Sequence, residues 1–561
     1  MNRKNLTAAV LAGLAGVAGI AGTAQAVNIN PDGLGQVLLF PYYTTNGGNV
    51  TLLSVVNTTE DAKAVKVRFL EGENSVEVLD FNLYMSAYDV WSASIEPQPM
   101  DRQDMSCDPD PTDDVTVYCE GPVLMIQDDE NTCMVPNFGK MQSFLPFAYR
   151  AFGEDLGDGG TQDDARMNEG HFEMIEMGVL DAEGATGVVV ADFDPAKWAT
   201  HTTVGDAWLP GDCGALNAAW GTIAEGTTLT PGDWKQDKGL AMLPPTGGLF
   251  GGAGVVNVVE AAMHTYEADA INGWNRSGFI QGGIASLHTE PGSLVPNLNS
   301  GDILTSVVFS DQGVPLSDDL TRSVDAVSYL FMHDSLMNEY ITDKDLAAET
   351  EWVLTFPTKR FYVETTPVMA PFTTAWAVVG DNMYATACET VALTGLWDRE
   401  ERDEGIPGCE DTNTCAVDRP PIVSPPPPII LPPPTPGVEP FQLCYETNVI
   451  RFGGAVATQL PTDELPMETE ILGTPKGKYL NFNNTDVFKD QNFKYGWARL
   501  ELDDYGVLQS RDPLGQLNGL PVAGFAVSRF SNSYLTDEEG NRVLSSYGAL
   551  FSHKATRKTG S

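Results

Sequence analysis

Apolar residues recur at every second position through much of residues 36–95, and this spacing sets the first expectation for the fold. Val65, Val67 and Phe69 alternate with Lys66 and Arg68, which predicts a strand with one buried and one solvated face. Residues 36–43 form a short apolar run containing Pro41, residues 46–49 (Asn-Gly-Gly-Asn) mark a turn, and residues 50–57 read as the next strand. Val76 and Val78 keep the alternation, and Leu79, Phe81 and Leu83 then continue it with the opposite parity. A parity change of this kind predicts a bulge or a break between strands. Short strands at these spacings predict a β-sandwich.

Residues 96–170 break the pattern. They are rich in Asp, Pro, Gly and Gln, hold three cysteines, and include the acidic runs 108–114 and 153–164, so they read as long loops tied by disulfides. Strand-like runs resume at 172–180 and 186–192. The Gly-rich stretch 247–254 reads as a tight turn ahead of a strand over 255–262. Residues 305–310, 326–332, 352–357 and 360–365 also read as extended. One short helix is predicted over 343–351, with Thr342 as its cap and Asp345 three residues on. Residues 420–440 hold 11 prolines in 21 positions, which imposes an exposed, polyproline-like path, either as a linker or as an excursion from one domain. Residues 495–502, 521–530 and 547–551 return to strand character, and 536–541 reads as a hairpin turn. No repeat of solenoid or propeller period is visible. The expected organisation is a leader over 1–26, N-terminal strands over 27–95, an acidic cysteine-containing loop region over 96–170 and a β-rich middle over 171–418. A proline-rich segment over 419–440 and C-terminal strands over 441–561 complete it.

Composition narrows the function. The chain has 561 residues, with 77 Asp+Glu against 32 Lys+Arg, a formal charge of −45. A surface this acidic argues against binding nucleic acid, which requires basic groups to displace counterions, and against docking on anionic lipid. Arg3 and Lys4, the apolar stretch 6–24 and the small-residue site Ala24, Gln25, Ala26 together predict a secretory signal. No later run approaches the roughly 20 apolar residues of a membrane span. The expected location is the periplasm or the cell surface. In an exported chain the eight cysteines are expected to form disulfides. Cys388 and Cys444 lie in similar strand-like contexts and are the preferred pair. Cys409–Cys415 would close a small loop between them, and Cys107–Cys119 is a third candidate. The absence of any C-x-x-C spacing removes support for redox, haem-attachment and zinc-ribbon chemistry.

Few residues form a pattern with chemistry in it. There is no G-x-S-x-G, and the adjacent His333, Asp334 and Ser335 cannot converge as a triad. There is no H-E-x-x-H. Met167, His171, Met174 and Met177 would suit Cu(I) on a helix, but the strand reading of this stretch points to core packing instead. Asp155, Asp158, Asp163 and Asp164 lie near flexible glycines and offer hard oxygen ligands for Ca²⁺, although their spacing fits no EF-hand; a solvated acidic loop is the alternative. No other cofactor is expected. Odd spacing on a strand puts Glu173 and Glu176 on opposite faces, against a carboxylate pair for glycoside hydrolysis. Ten tryptophans and seventeen tyrosines could supply an aromatic sugar-binding face, with Tyr42, Tyr43 and Trp91 in the N-terminal strands, although buried sandwich aromatics are their commoner use.

Residues 51–93 (TLLSVVNTTEDAKAVKVRFLEGENSVEVLDFNLYMSAYDVWSA) resemble the opening strands of bacterial Ig-like β-sandwich modules on exported proteins. Residues 495–502 (YGWARLEL) and 520–530 (LPVAGFAVSRF) resemble the closing strands. The whole chain resembles uncharacterised secreted proteins of Gram-negative bacteria. The resemblance implies an all-β fold of one or two Ig-like sandwiches with long disulfide-tied insertions, and it implies no functional residues. It also raises the expectation that the first and last strand groups share one discontinuous sandwich. The function expected is that of an exported, non-enzymatic envelope or surface protein with a structural or adhesive role, its partner a protein or glycan. The alternative is a secreted hydrolase or a Ca²⁺-dependent carbohydrate-binding protein.

Overall fold

The computed structural model describes residues 26–98, most of 121–399, and 441–452, 467–482 (except 477), 494–502, 508, 516–532 and 545–559. The chain is all-β, as the alternation predicts. The first strands are β1 (Asn28–Ile29), β2 (Val37–Thr44), β3 (Val50–Asn57), β4 (Lys63–Glu71), β5 (Glu77–Met85), β6 (Val90–Glu96), β7 (Val123–Ile126), β8 (Cys133–Val135) and β9 (Met141–Ser143). They are followed by β10 (Glu169–Leu180), β11 (Met242–Leu243), β12 (Leu249–Asn257), β13 (Ala262–Glu267) and β14 (Asp269–Asn272). Sheet I has eight strands in the order β1-β14-β2-β10-β4-β5-β8, with β11 paired to β10; sheet II has six in the order β13-β12-β3-β6-β7-β9.

Sheets I and II share one apolar core. Leu38, Phe40, Val65, Val67, Phe69, Phe172 and Met174 from sheet I meet Leu53, Val55, Trp91, Ala93 and Ile95 from sheet II. Phe40 and Phe172 stack with ring centroids 4.2 Å apart. The parity change in β5 is a bulge: Phe69 pairs with Leu79 but Leu70 pairs with Glu77, which leaves Val78 as the extra residue.

The polar side of β4 is not solvated as the alternation suggested. Lys66 and Arg68 are buried, because a further layer covers sheet I. Lys66 Nζ donates to the Glu290 carbonyl at 3.2 Å, and Asn82 Nδ2 to the Thr289 carbonyl at 2.7 Å. Burying charge is unfavourable unless each group is paired, and here each is. Lys63 meets Glu176 at 2.6 Å, Lys66 meets Asp80, Arg68 meets both Glu77 and Glu173, and Arg166 meets Glu71 at 2.9 Å.

The middle of the chain holds α1 (Pro195–Ala199), α2 (Cys213–Trp220) and α3 (Asp233–Gln236). They surround a small cluster built on Tyr84, Leu216, Trp220 and Trp234. The disulfide Cys133–Cys213 ties β8 to the start of α2. Residues 186–192, read as extended, contribute no strand where described, and Gly187 (φ 66°) and Asp192 (φ 62°) turn the backbone out of the extended region. The Gly-rich stretch 247–254 is mostly strand rather than turn. Only Gly247 and Gly248 (φ 82° and 83°) turn the chain, and β12 then runs through the remaining glycines. A side chain at Gly251 would sit 2.5 Å from the Ser54 carbonyl and 2.8 Å from the Phe40 ring, so the close approach of β12 to the core requires glycine there.

After a hairpin of β15 (Thr305–Phe309) and β16 (Pro315–Asp319) comes α4 (Ser323–Phe331), where 326–332 was expected to be extended. Every residue of α4 is buried, the polar Ser323, Asp325 and Ser328 included, so no apolar–polar period separates this helix from a buried strand. Asp325 fixes its start by accepting from Arg322 N at 3.0 Å and Thr321 Oγ1 at 2.9 Å. The helix expected over 343–351 is only a 3-10 turn (Lys344–Leu346), and residues 360–365, expected to be extended, hold the short helix α5 (Arg360–Val363).

The remaining strands are β17 (Ser335–Ile341), β18 (Ala348–Thr355), β19 (Glu389–Asp398), β20 (Phe441–Leu443), β21 (Thr447–Phe452), β22 (Tyr479–Phe482), β23 (Tyr495–Glu501), β24 (Ala523–Asn532), β25 (Ser545–Ser552) and β26 (Lys554–Thr556). Sheet III has five in the order β20-β19-β23-β17-β26, and sheet IV five in the order β22-β21-β18-β24-β25. Leu336, Tyr340, Ala498 and Leu500 of sheet III pack with Trp352, Leu354, Ile450 and Phe452 of sheet IV, in a core that also takes in α4 and the Val37, Leu39 and Ile175 side of sheet I. Sheet IV is buried on its other side too, where Val353, Val449, Phe525 and Val527 join the core of sheets I and II. The first and last strand groups lie in different sheets, β4 pairing with β5 and β10 and β23 with β17 and β19, yet Phe525 and Val527 of the last group share the core of Val65, Val67 and Phe69.

Cys388 and Cys444 are bonded, and β19 pairs with β20 beside the bridge, Glu389 opposite Leu443. The described residues on either side of this stretch, β19 and β20, are therefore neighbours in sheet III. The proline-rich segment itself lies outside the described residues, as do Cys107, Cys119, Cys409 and Cys415.

Candidate functional site

Asp163 caps the 3-10 turn Asp164–Asn168 by accepting from Ala165 N at 2.9 Å, and Asp164 is buried within that turn. The same turn carries Arg166 to Glu71. Asp155 belongs to a two-residue strand, Glu154–Asp155, and Asp158 lies outside the described residues. Among the described residues no three His, Cys, Asp or Glu side chains converge as a metal site. Met167 and Met174 lie in the core of sheets I and II, whereas Met177 lies in the separate cluster around Trp234. Burial pushes the His171 imidazole down to about 3. Glu173 and Glu176 part company: the first meets Arg68, while the second meets Lys63 and accepts from Gly247 N at 2.6 Å.

His333, Asp334 and Ser335 also take separate partners. Asp334 meets Lys558 at 3.2 Å, Ser335 Oγ bonds Thr556 Oγ1 at 2.5 Å, and His333 lines a cleft of about 930 Å³ where β13 and β14 meet β24 to β26. Asp269, Phe331, Phe525, His553 and Arg557 line it as well. His553 holds a fixed neutral form: its Nε2 donates to the Val353 carbonyl at 3.0 Å and its Nδ1 accepts from Asn338 Nδ2 at 3.1 Å. Burial pushes it down to about 4. With both nitrogens engaged, this imidazole links β18 to β17.

Asp269 differs: half-buried at the cleft and without a compensating donor, its carboxyl is pushed by desolvation up to about 7. Between its ordinary value and that value the folded protein holds a proton that the unfolded chain has released. Its contribution to stability is therefore full below about pH 4 and falls as pH rises to 7. Thermal unfolding at pH 5 and pH 8 should show Asp269→Asn losing less stability over that interval than the wild type; equal losses would contradict this environment for Asp269.

Two outward sheet faces offer more than the cleft. On β3 and β12, the centre of sheet II, the outward positions are Val50, Leu52, Ser54, Val56, Phe250, Gly252, Gly254 and Val256, and none is charged. Phe250 is 43% exposed, and Val90 (56%) and Met263 (50%) extend the apolar area onto β6 and β13. Carboxylates lie on those flanking strands, at Glu96 and Glu267, and at the β12–β13 hairpin tip, where Glu260 meets Arg529 at 3.5 Å. The β12–β13 hairpin tip adds Val258 and Val259, and β25, which runs beside β13, adds the exposed Tyr547. Contiguous apolar surface of this extent marks interaction sites.

On the outward face of sheet III, Trp397 and Trp497 sit opposite each other on β19 and β23 and stack at 3.9 Å with 16° between planes. Glu339 on β17 is next in the same row. Sequence reasoning passed over this pair. A signal was present: Trp497 shares the parity of Tyr495, Arg499 and Glu501, opposite to the core residues Ala498 and Leu500. Its partner from β19 is invisible until the pairing is known. No family model matches the chain, and neither a curated protein nor a solved structure matches it.

Proposed function

We propose that the chain is an exported, non-enzymatic protein of the cell envelope or surface, a scaffold of Ig-like sandwich modules that associates with a second copy of itself through the outward face of sheet II. The observation that carries this reading is the uncharged centre of that face in a chain of net charge −45. Two such acidic chains repel over most of their surfaces, and close contact is favourable only where carboxylates are missing and apolar area can be buried. A face that meets its own copy must also complement itself, and a flat strip of small and medium apolar side chains meets that requirement. Two disulfides, and no helix among the described residues long and apolar enough to cross a membrane, are compatible with export.

Light scattering over a hundred-fold concentration range tests the association. The wild type is expected to gain mass with concentration, and Phe250→Glu, which puts a carboxylate on β12, is expected to stay monomeric with an unchanged circular dichroism spectrum. A wild type that stays monomeric throughout, or a variant that associates equally well, would defeat the proposal.

A further inference from the structure

We infer that the outward face of sheet III is a binding site for neutral oligosaccharides, centred on the stacked pair Trp397 and Trp497. This goes beyond self-association, uses a different sheet and stands on different residues. The pair is built rather than incidental. The Trp397 ring lies over Gly395, where any side chain would collide with it, so the glycine lets the indole settle on the strand. Tyr340 donates from beneath to the Trp397 carbonyl at 3.3 Å. Trp497 stacks on this fixed ring and remains 38% exposed, on the side of the sheet away from Ala498 and Leu500. An indole held in place in advance loses little freedom when a ligand covers it.

The surroundings select the ligand. One row along, the Arg399 guanidinium lies 4.4 Å from the Tyr495 ring centroid. In the other direction Arg499 meets Glu501 at 2.7 Å, with both side chains partly exposed, and Glu339 is exposed beside Trp497. The strip is thus apolar along its middle and edged by fixed donors and acceptors. A sugar ring has matching chemistry, with one face of C–H groups and a rim of hydroxyls that both donate and accept. An apolar protein surface would instead strand Glu339 and both guanidinium groups without water. An acidic polysaccharide or nucleic acid would meet the repulsion of the −45 charge.

The test uses the exported full-length chain with cellohexaose and chitohexaose as probes, read by calorimetry and tryptophan fluorescence. At least one hexasaccharide is expected to bind. Trp497→Ala should weaken binding about tenfold or more, the scale of a lost aromatic contact, and Trp497→Phe, which keeps a flat ring, should retain part of it. Both variants should unfold at the wild-type temperature, and Arg399→Ala, which leaves the indole stack intact, should weaken binding by a smaller factor. Hexagalacturonate should bind more weakly than the neutral probes. Failure of both neutral probes to bind at about 10 mM, or binding indifferent to Trp497→Ala, would overturn the inference while leaving the light-scattering result on sheet II untouched.

Discussion

Replacing Arg68 by Met is expected to destabilise the protein by about 3–5 kcal/mol, the usual effect of removing one partner from a buried ion pair. Arg68 stands on β4 between Glu77 of β5 and Glu173 of β10, and the two carboxylate side chains are each only 2% exposed. Burial pushes both carboxyls above their ordinary range even with the guanidinium beside them. Without it, each must take up a proton or remain a buried uncompensated charge. Urea unfolding followed by tryptophan fluorescence measures the loss. The triple variant Arg68→Met, Glu77→Gln, Glu173→Gln should recover most of it, because the large term is the stranded charge and not a net gain from the pairing. A single variant within about 1 kcal/mol of the wild type, the level of a surface pair, would show that water reaches this layer.

Removing the Cys388–Cys444 bridge has the next largest expected effect. The bridge closes a loop with a sequence separation of 56, and chain-entropy reasoning assigns such a constraint about 4 kcal/mol. The physical content is local as well as global. The bridge joins the residue before β19 to the residue after β20, and the two strands pair immediately beside it. The double variant Cys388→Ser, Cys444→Ser should lower the urea midpoint while leaving the slope of the transition close to the wild type. Unchanged stability would mean that the pairing of β19 with β20 holds these strands together without help.

Much of the first core was legible because alternation is a local property. Val65, Val67 and Phe69 point into the core as their spacing requires, and the parity change between Val78 and Leu79 is the bulge that it announces. The burial of Lys66 and Arg68 was not legible. The layer that covers sheet I comes from Thr289, Glu290 and neighbouring residues more than 200 positions later, and nothing in β4 names it. Helix α4 was misread for a different reason: burial on every side erases the 3.6-residue period that would have identified it. Cys133–Cys213 joins residues separated by 80 positions in unlike contexts, so similarity of surroundings, which pointed to Cys388–Cys444, gave no lead there. For the candidate faces, the parity of Trp497 and the uncharged outward positions of β3 were readable. Their assembly with Trp397 and with β12 depends on strand order, which one sequence does not specify.

The most direct measurement places a nitroxide on the outward face of sheet II through Ser54→Cys, at the centre of β3, and reads spin–spin distances by pulsed dipolar spectroscopy in a concentrated sample. If two copies meet through this face, sheets packed about 10 Å apart hold the two labels close, and a short, narrow distance distribution is expected. It should vanish in the Phe250→Glu background. A signal no stronger than that of randomly distributed molecules would contradict the assignment of this face as the surface where copies join.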